Sequence, residues 1–239
     1  MTYTELFIDV KNYLQNDFPA NTWTNVAGTG VTTSDGTEQI NTFITQAEER
    51  IYNTVQIPPL RKNVTGLTTI SNKYLSCPSD FMSVFSMAVI DGTGNYEYLL
   101  NKDVNFIRAA YPSPSSTGLP QYYALFGPTV VTSTITDELS FILGPTPDAA
   151  YSVELHYYAY PESITVAADG RTWLGDNYSP VLLYGTMVEA YIFLKGEQDL
   201  MAVYEGKYKE AIAQLNRLGT GLERGDAYRD GQAKIKVNP

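Results

Sequence analysis

The histidine and the cysteine are the first places to look for chemistry, because each type occurs once in the 239 residues. His156 lies on the polar phase of an alternating run, which predicts a surface or interface side chain rather than a general base. Cys77 precedes Pro78 in a strand-to-turn segment. With one histidine available, a Cys-His nucleophile pair is not expected. A single cysteine also excludes an intramolecular disulfide.

Three carboxylates offer the one enzymatic alternative. Asp80, Asp137 and Glu138 could be brought together by the fold into the pair of acids that a glycoside hydrolase uses. Adjacent acids beside a strand are more often a solvated turn. A glycoside hydrolase therefore stays open as an alternative, and loss of polysaccharide turnover in Asp→Asn variants would support it.

Phosphate and metal motifs are incomplete. The Gly28–Gly30 loop lacks the lysine and Ser/Thr context of a phosphate-binding loop and follows no predicted strand. The turn Asp91–Asn95 lacks the carboxylate ladder of an EF-hand, and no cluster of cysteine and histidine offers a zinc site. The sequence predicts no cofactor, no metal site and no catalytic residue.

The amino-acid composition excludes further classes of function. A net charge of −10 and a pI near 4.5 argue against sequence-independent binding of nucleic acid, which needs clustered lysine and arginine. Hydrophobic residues make up 44% of the chain, enough for a substantial core. The 19 tyrosines favour broad β-surfaces or subunit contacts. The first residues have no signal-peptide pattern, which predicts a protein that works in the cytoplasm where it is made.

The longest helical pattern runs from Arg171 to Leu218, and the chain is expected to be organised around it. Ser179 is predicted to be an N-cap, followed by Pro180 in the first helical position. Residues Val181–Leu194 are apolar almost all round, so at least two faces must be covered by protein, yet the run is too short to span a bilayer. A second helix, residues 198–218, is expected to complete a helical hairpin with one buried stripe.

The first 56 residues predict two further helices. Thr2 and Glu5 form a capping box in front of a helix over residues 4–16, and a second amphipathic helix is predicted over residues 37–53. The small and polar residues 20–35 between them predict a loop. These helices are expected to form one bundle with the C-terminal hairpin.

The middle of the chain changes to the short β-rich runs of an antiparallel domain. Strands are predicted over residues 64–70, 73–76, 82–90, 96–100, 122–126, 138–143 and 151–160, with a short helix over 100–111. The predicted fold class is α+β, with a sandwich-like β insertion between two halves of a helical bundle. The predicted divisions are 1–56, the β-rich domain 57–170, the hairpin 171–218 and an extended C-terminal arm 219–239.

Several local motifs occur along the chain in a characteristic order. They are Ile44-x-x-Ala47-Glu48-x-Arg50-Ile51, Pro58-x-Leu60-Arg61, Leu75-x-x-Pro78-x-Asp80-Phe81, Leu119-Pro120-x-Tyr122-Tyr123-Ala124-Leu125, Leu143-x-Pro145-x-Pro147-x-x-x-Tyr151-x-Val153-x-Leu155-x-Tyr157-Tyr158, Trp173-Leu174, and Leu182-Leu183-Tyr184-Gly185-x-x-x-Glu189-Ala190. In this order the chain resembles the head-to-tail adaptor (connector) proteins of tailed bacteriophages.

The resemblance implies a structural virion protein of the neck, assembled in the host cytoplasm and without enzymatic activity. It implies a homo-oligomeric ring, commonly of twelve subunits, that binds the portal protein and extends the DNA channel. DNA would pass through without sequence-specific binding during genome ejection. Its other partners would be the tail tube, nozzle or other tail and neck proteins, for which the ring is the attachment platform.

The resemblance also implies where the contacts lie. The C-terminal arm is expected to reach the portal, with Arg224, Tyr228, Arg229, Lys234 and Lys236 as its candidate contacts. Lateral and bundle packing is expected from Trp173, Leu183, Tyr184, Tyr191 and Phe193. Two alternatives remain: a tail-completion or terminator protein, and a glycan-binding tail component suggested by the tyrosine-rich β region.

Overall fold

The computed structural model describes residues 1–18, 21–24, 31–34, 36–113, 115–127, 130–131, 134–135 and 139–223. The chain divides into two compact units. The helical unit comprises Met1–Pro59 and Pro161–Pro239, and the β unit comprises Leu60–Tyr160. The β unit is thus an insertion in the helical unit, and the described fold is α+β.

Six helices are described. They are α1 (Tyr3–Leu14), α2 (Gly36–Thr54), α3 (Val104–Ala110), α4 (Trp173–Asn177), α5 (Ser179–Phe193) and α6 (Gln198–Glu223). The predicted capping box is present, since Thr2 N–H donates to the Glu5 carboxylate (2.7 Å) and Glu5 N–H donates to the Thr2 hydroxyl (3.3 Å). It fixes the start of α1 because it satisfies backbone donors that a helix N-terminus otherwise leaves unpaired.

Helix α5 is the centre of the helical unit and contacts α1, α2, α4 and α6. Its apolar residues explain this position, because side chains from Val181 to Ala190 are buried on more than one face. Helix α6 buries a single stripe through Tyr208, Ala211 and Leu215. The bulk of this unit's core therefore forms around one helix.

Twelve strands are described. They are β1 (Asn21–Thr24), β2 (Val31–Ser34), β3 (Arg61–Leu67), β4 (Tyr74–Ser76), β5 (Phe81–Ile90), β6 (Tyr96–Tyr98), β7 (Leu100–Asn101), β8 (Tyr122–Phe126), β9 (Val130–Val131), β10 (Thr134–Ile135), β11 (Ser140–Gly144) and β12 (Ser152–Ala159). The predicted β-rich runs of the middle region are confirmed. The prediction of a loop over residues 20–35 is wrong at β1 and β2, which pair as an antiparallel ribbon.

The β unit contains two four-stranded sheets, ordered β3-β12-β5-β6 and β4-β11-β8-β7. All neighbours are antiparallel except β7 and β8. Side chains from both sheets meet in one core, to which Met87, Phe141, Leu143, Val153 and Leu155 belong. The outer face of the second sheet is covered by α3. The outer face of the first sheet carries several exposed aromatic residues.

Three boundaries differ from the sequence predictions. Helix α5 begins at Ser179, and Tyr178 precedes it without a side-chain cap, so Ser179 is not the N-cap. Helix α6 continues to Glu223, so the first five residues of the predicted arm, 219–223, are helical. Residues 161–170 belong to the helical unit rather than to the β-rich domain, because the buried Glu48 carboxylate accepts a hydrogen bond from Ile164 N–H (3.0 Å).

Over the residues described, no helix combines the length and the apolar character that crossing a bilayer requires.

Candidate assembly surfaces

Two adjacent apolar side chains are exposed at the end of α5 in the helical unit. The helix is buried through Ala190, but the side chains of Ile192 and Phe193 are each 48% exposed. Phe193 packs against Phe43 of α2 (ring centroids 5.2 Å) and lies 6.5 Å from Phe18, both of which are buried. The exposed pair is therefore held in place by a fixed aromatic base.

A groove of about 510 Å³ runs between α2 and α5 beside this pair. Its lining combines apolar side chains with carboxylate, amide and hydroxyl groups. The lining residues are Glu38, Gln39, Thr42, Phe43, Gln46, Glu189, Ile192 and Phe193. Such a mixture of apolar and polar groups is usual in a protein–protein contact. We call this groove, with its exposed pair, the α2–α5 surface.

An ionic contact braces the two helices that form the α2–α5 surface. The Arg50 guanidinium donates to the Glu189 carboxylate (3.2 Å), and its central carbon lies 4.7 Å from the centroid of the Tyr208 ring on α6. The same three helices approach closely at Gly185, where an added Cβ would lie 3.3 Å from both Ala47 Cβ and the Tyr208 ring. The sequence motifs contained Ala47, Arg50, Gly185 and Glu189, but nothing in their spacing revealed that they meet.

Glu48 is the most deeply buried carboxylate described, with 2% of the residue exposed. One of its oxygens accepts from Ile164 N–H, and the other has no hydrogen-bond partner within the described structure. Burial raises the pKa of Glu48, and the nearby hydroxyl of Ser163 and the Ile164 N–H oppose this only in part. Glu48 therefore attaches the 161–170 segment to α2. Its burial favours the protonated form of the carboxyl group.

A second exposed surface lies on the outer face of the β3-β12-β5-β6 sheet. Tyr96 and Tyr98 are 51% and 67% exposed, and their rings stack with centroids 6.5 Å apart. They border a groove of about 230 Å³ that Glu154 and His156 also line. The hydrogen bond from Asn63 (2.6 Å) and, after it, the contact with His156 (3.3 Å) lower the pKa of Glu154 against the effect of burial.

The described residues considered for catalysis, Cys77, Asp80 and His156, are each buried or engaged by other side chains. Cys77 is buried, and burial raises the pKa of its thiol to about 12, so little thiolate exists at neutral pH. Burial acts to raise the pKa of Asp80, but hydrogen bonds from Lys62 (2.6 Å) and Tyr157 (2.8 Å) outweigh it, and the pKa is lowered. Asp137 and Glu138 lie outside the described residues.

The described residues also offer no metal site. Among the described residues, no group of three or more His, Cys, Asp or Glu side chains could hold a metal ion. The carboxylate of Asp91 is used within its own turn, where the Thr93 hydroxyl and the Asn95 N–H, in that order, lower its pKa.

The residues predicted for packing have different environments. Leu183 is buried, and Trp173, Tyr184 and Tyr191 are half-buried. The Tyr191 ring lies 5.5 Å from Tyr204 of α6. Phe193 alone among the predicted five is largely open to a partner. The predicted arm contacts Arg224, Tyr228, Arg229, Lys234 and Lys236 lie outside the described residues.

These observations define an α+β protein with exposed apolar surfaces on both units. Its described candidate reactive groups, Cys77, Asp80 and His156, are engaged or buried, which is typical of a protein that assembles with others. The chain belongs to the SU10 adaptor protein family, whose family model matches residues 1–233. It is accordingly a structural adaptor protein of a bacteriophage virion, placed at the neck and in contact with other head and tail proteins. No curated protein matches the chain significantly.

Proposed function

We propose that the protein forms a ring below the portal, dodecameric in keeping with the resemblance described above. The ring extends the DNA channel and provides the platform on which the tail is attached. The observation that carries this proposal is the family match over residues 1–233. The protein acts by assembly rather than by catalysis.

The α2–α5 surface supports the lateral contacts of this ring. A ring subunit needs a surface that the next subunit covers, because each copy repeats the same contact. Ile192 and Phe193 provide apolar area at the end of a rigid helix, and Phe43 holds Phe193 in a fixed direction. Half-exposed side chains on a well-packed base are suited to this because they lose little side-chain entropy on binding.

The C-terminal residues 224–239 form the arm that binds the portal in this proposal. They contain four basic and two acidic residues, a net charge of +2 in a chain whose total is −10. A basic arm is attracted to acidic surfaces, which include an acidic cleft of another protein as well as the acidic body of its own subunit. The acidic body also leaves DNA phosphates without strong binding sites during passage through the channel.

Mass photometry of the purified protein with and without its cognate portal protein tests the proposal. The expected result is a homogeneous ring that appears on the portal or joins it in a fixed ratio. A protein that stays monomeric with the portal overturns the adaptor ring. Binding to the end of purified tail tubes instead of the portal would indicate the tail-completion or terminator alternative.

A glycan-binding tail component is the second candidate, and one observation favours it. Tyr96 and Tyr98 stack on an exposed sheet face beside the hydrogen-bonded polar side chains of Glu154 and His156. Aromatic faces with adjacent polar groups suit sugar rings, which present both C–H and hydroxyl groups. A glycan array with the wild type and the Tyr98→Ala variant tests this, and the absence of variant-sensitive binding excludes it.

A further inference from the structure

One side of the β sandwich is open. Strand β3 is the edge of one sheet and β4 is the edge of the other. A cleft of about 250 Å³ lies between them and reaches the core residues Val153 and Leu155. In the part of the chain that the structure describes, no strand pairs with the outer edge of β3. The sandwich thus exposes part of its apolar interior along this side.

Strand β3 has little of the protection that sheet edges usually carry. Six of its seven residues are exposed, and the stretch from Asn63 to Leu67 contains no charge and no proline. Val64 points toward the cleft opposite Leu155 and is still 39% exposed. Edge strands are normally shortened, charged or covered, since their free N–H and C=O groups accept another strand. The exposed edge of β3 therefore has the properties of an acceptor.

The ribbon formed by β1 and β2 has the complementary properties of a donor. Among the described strands, these two pair with each other and with no third strand, and a lone two-stranded ribbon is at best marginally stable in water. Residues 19–34 contain no ionisable side chain. The ribbon is flanked by Asp17 and Asp35, whereas β3 begins with Arg61 and Lys62. Lys62 is paired with Asp80 (2.6 Å), so the start of β3 keeps a net positive charge from Arg61, opposite to the charge of the ribbon's flanks.

We propose that β1 of one subunit adds as a further strand to the β3 edge of a second copy of this chain in the ring. Backbone hydrogen bonds supply the pairing, as in other cases of strand addition. Strand β1 contains Trp23, the one aromatic residue between Phe18 and Phe43, which gives the added strand most of its apolar area. The uncharged segments meet without any charge being taken out of water.

The small area of this contact determines whether it can form between free subunits. A strand of four residues buries far less than the roughly 1,200 Å² of a typical stable complex. The pairing is therefore absent between free subunits and appears once other contacts bring neighbours together. In this respect the inference rests on the proposed ring.

Hydrogen exchange measured by mass spectrometry on the free protein and on the portal-bound ring tests the pairing. We expect the amides of residues 63–67 to exchange at least tenfold more slowly in the ring. Val64→Lys places a charge at the open edge, where its long side chain can still reach water, and should remove this protection. Ile70→Lys is the matched control, because Ile70 is exposed in the same unit but lies outside β3. Trp23→Ala should remove the protection as Val64→Lys does.

The outcomes separate the inference from the proposed function. If the ring forms but residues 63–67 exchange as in the free protein, the strand addition is wrong and the adaptor ring stands. If Val64→Lys removes the protection while Trp23→Ala leaves it intact, the added strand belongs to another protein and the proposed donor is wrong. If no ring forms with the portal, both proposals fall.

Discussion

Replacing Ile192 with serine should weaken assembly without unfolding the subunit. Complete burial of an isoleucine side chain stabilises by about 1.5–3 kcal/mol, and 48% of this side chain remains exposed in the subunit. A neighbour that covers the rest therefore gains about 1 kcal/mol per contact. A closed ring has as many contacts as subunits, so every contact carries this loss. The concentration at which half the protein is in rings should rise by about fivefold, since 1.4 kcal/mol corresponds to a factor of ten.

The assay is a dilution series of the portal-bound and free protein by mass photometry, with Val203→Ser as the matched control. Val203 lies on α6 and is 56% exposed, so the two variants lose similar exposed apolar area on the same unit. Thermal denaturation of both variants checks that the subunit is folded. Equal assembly midpoints for Ile192→Ser and the wild type, with both fully folded, would refute the assignment of the α2–α5 surface to the lateral contact.

Three further predictions test other parts of the molecule. The pKa of Glu48 is raised by burial, so the stability that its protonated form contributes is present below the pKa of the unfolded state and is lost as the pH rises through the pKa of the folded state. In urea denaturation, the free energy of unfolding of Glu48→Gln should equal that of the wild type below about pH 4 and exceed it at neutral pH. A difference that does not depend on pH would contradict this. Gly185→Val should lower the free energy of unfolding by about 1–3 kcal/mol through overpacking, because a Cβ there already lies 3.3 Å from Ala47 and Tyr208; Gly206→Val, where a Cβ meets nothing within 4 Å, is its control. Deletion of residues 224–239 should leave a folded protein that no longer joins portal-bearing heads, and normal attachment by the truncated form would rule out the arm.

The elements that the sequence predicted well are those whose local pattern and tertiary role agree. Helix α5 was found because its residues are apolar on all sides, which leaves no alternative to a buried position. Helix α1 was found because Thr2 and Glu5 satisfy its first N–H groups locally. The β-rich runs of the middle region were found from the short alternating segments and turn residues between them.

The elements that were missed depend on pairing or on distant contacts. Strands β1 and β2 are four residues each, and short polar strands rich in threonine look like a loop until their partner is known. Helix α6 was predicted to end five residues early, at Leu218, because hardly any periodic apolar pattern continues beyond that residue. In the structure Gly219 is needed for close approach to Ile57, since an added Cβ would lie 2.4 Å from its side chain.

The candidate surfaces show the same limit. The apolar run that ends in Ile192 and Phe193 was visible, and the sequence predicted that it would pack. The sequence could not show which of these side chains remain exposed, because their exposure depends on how far along α5 the contact with α2 extends. The Arg50–Glu189 pair spans 139 positions, and a pairing at that separation leaves no periodic signal in a single sequence.

The exposed apolar surfaces and the acidic composition together favour assembly on a template. The roughly 1 kcal/mol that Ile192 adds to a contact is small beside the roughly 4–15 kcal/mol of translational and rotational freedom that association costs. A net charge of −10 on every copy adds repulsion between free subunits. A portal that binds each arm separately places neighbours side by side and so removes most of the association cost from the lateral contacts. In the proposed assembly, weak lateral surfaces are then an advantage, because subunits would close into a ring only where the portal has already collected them.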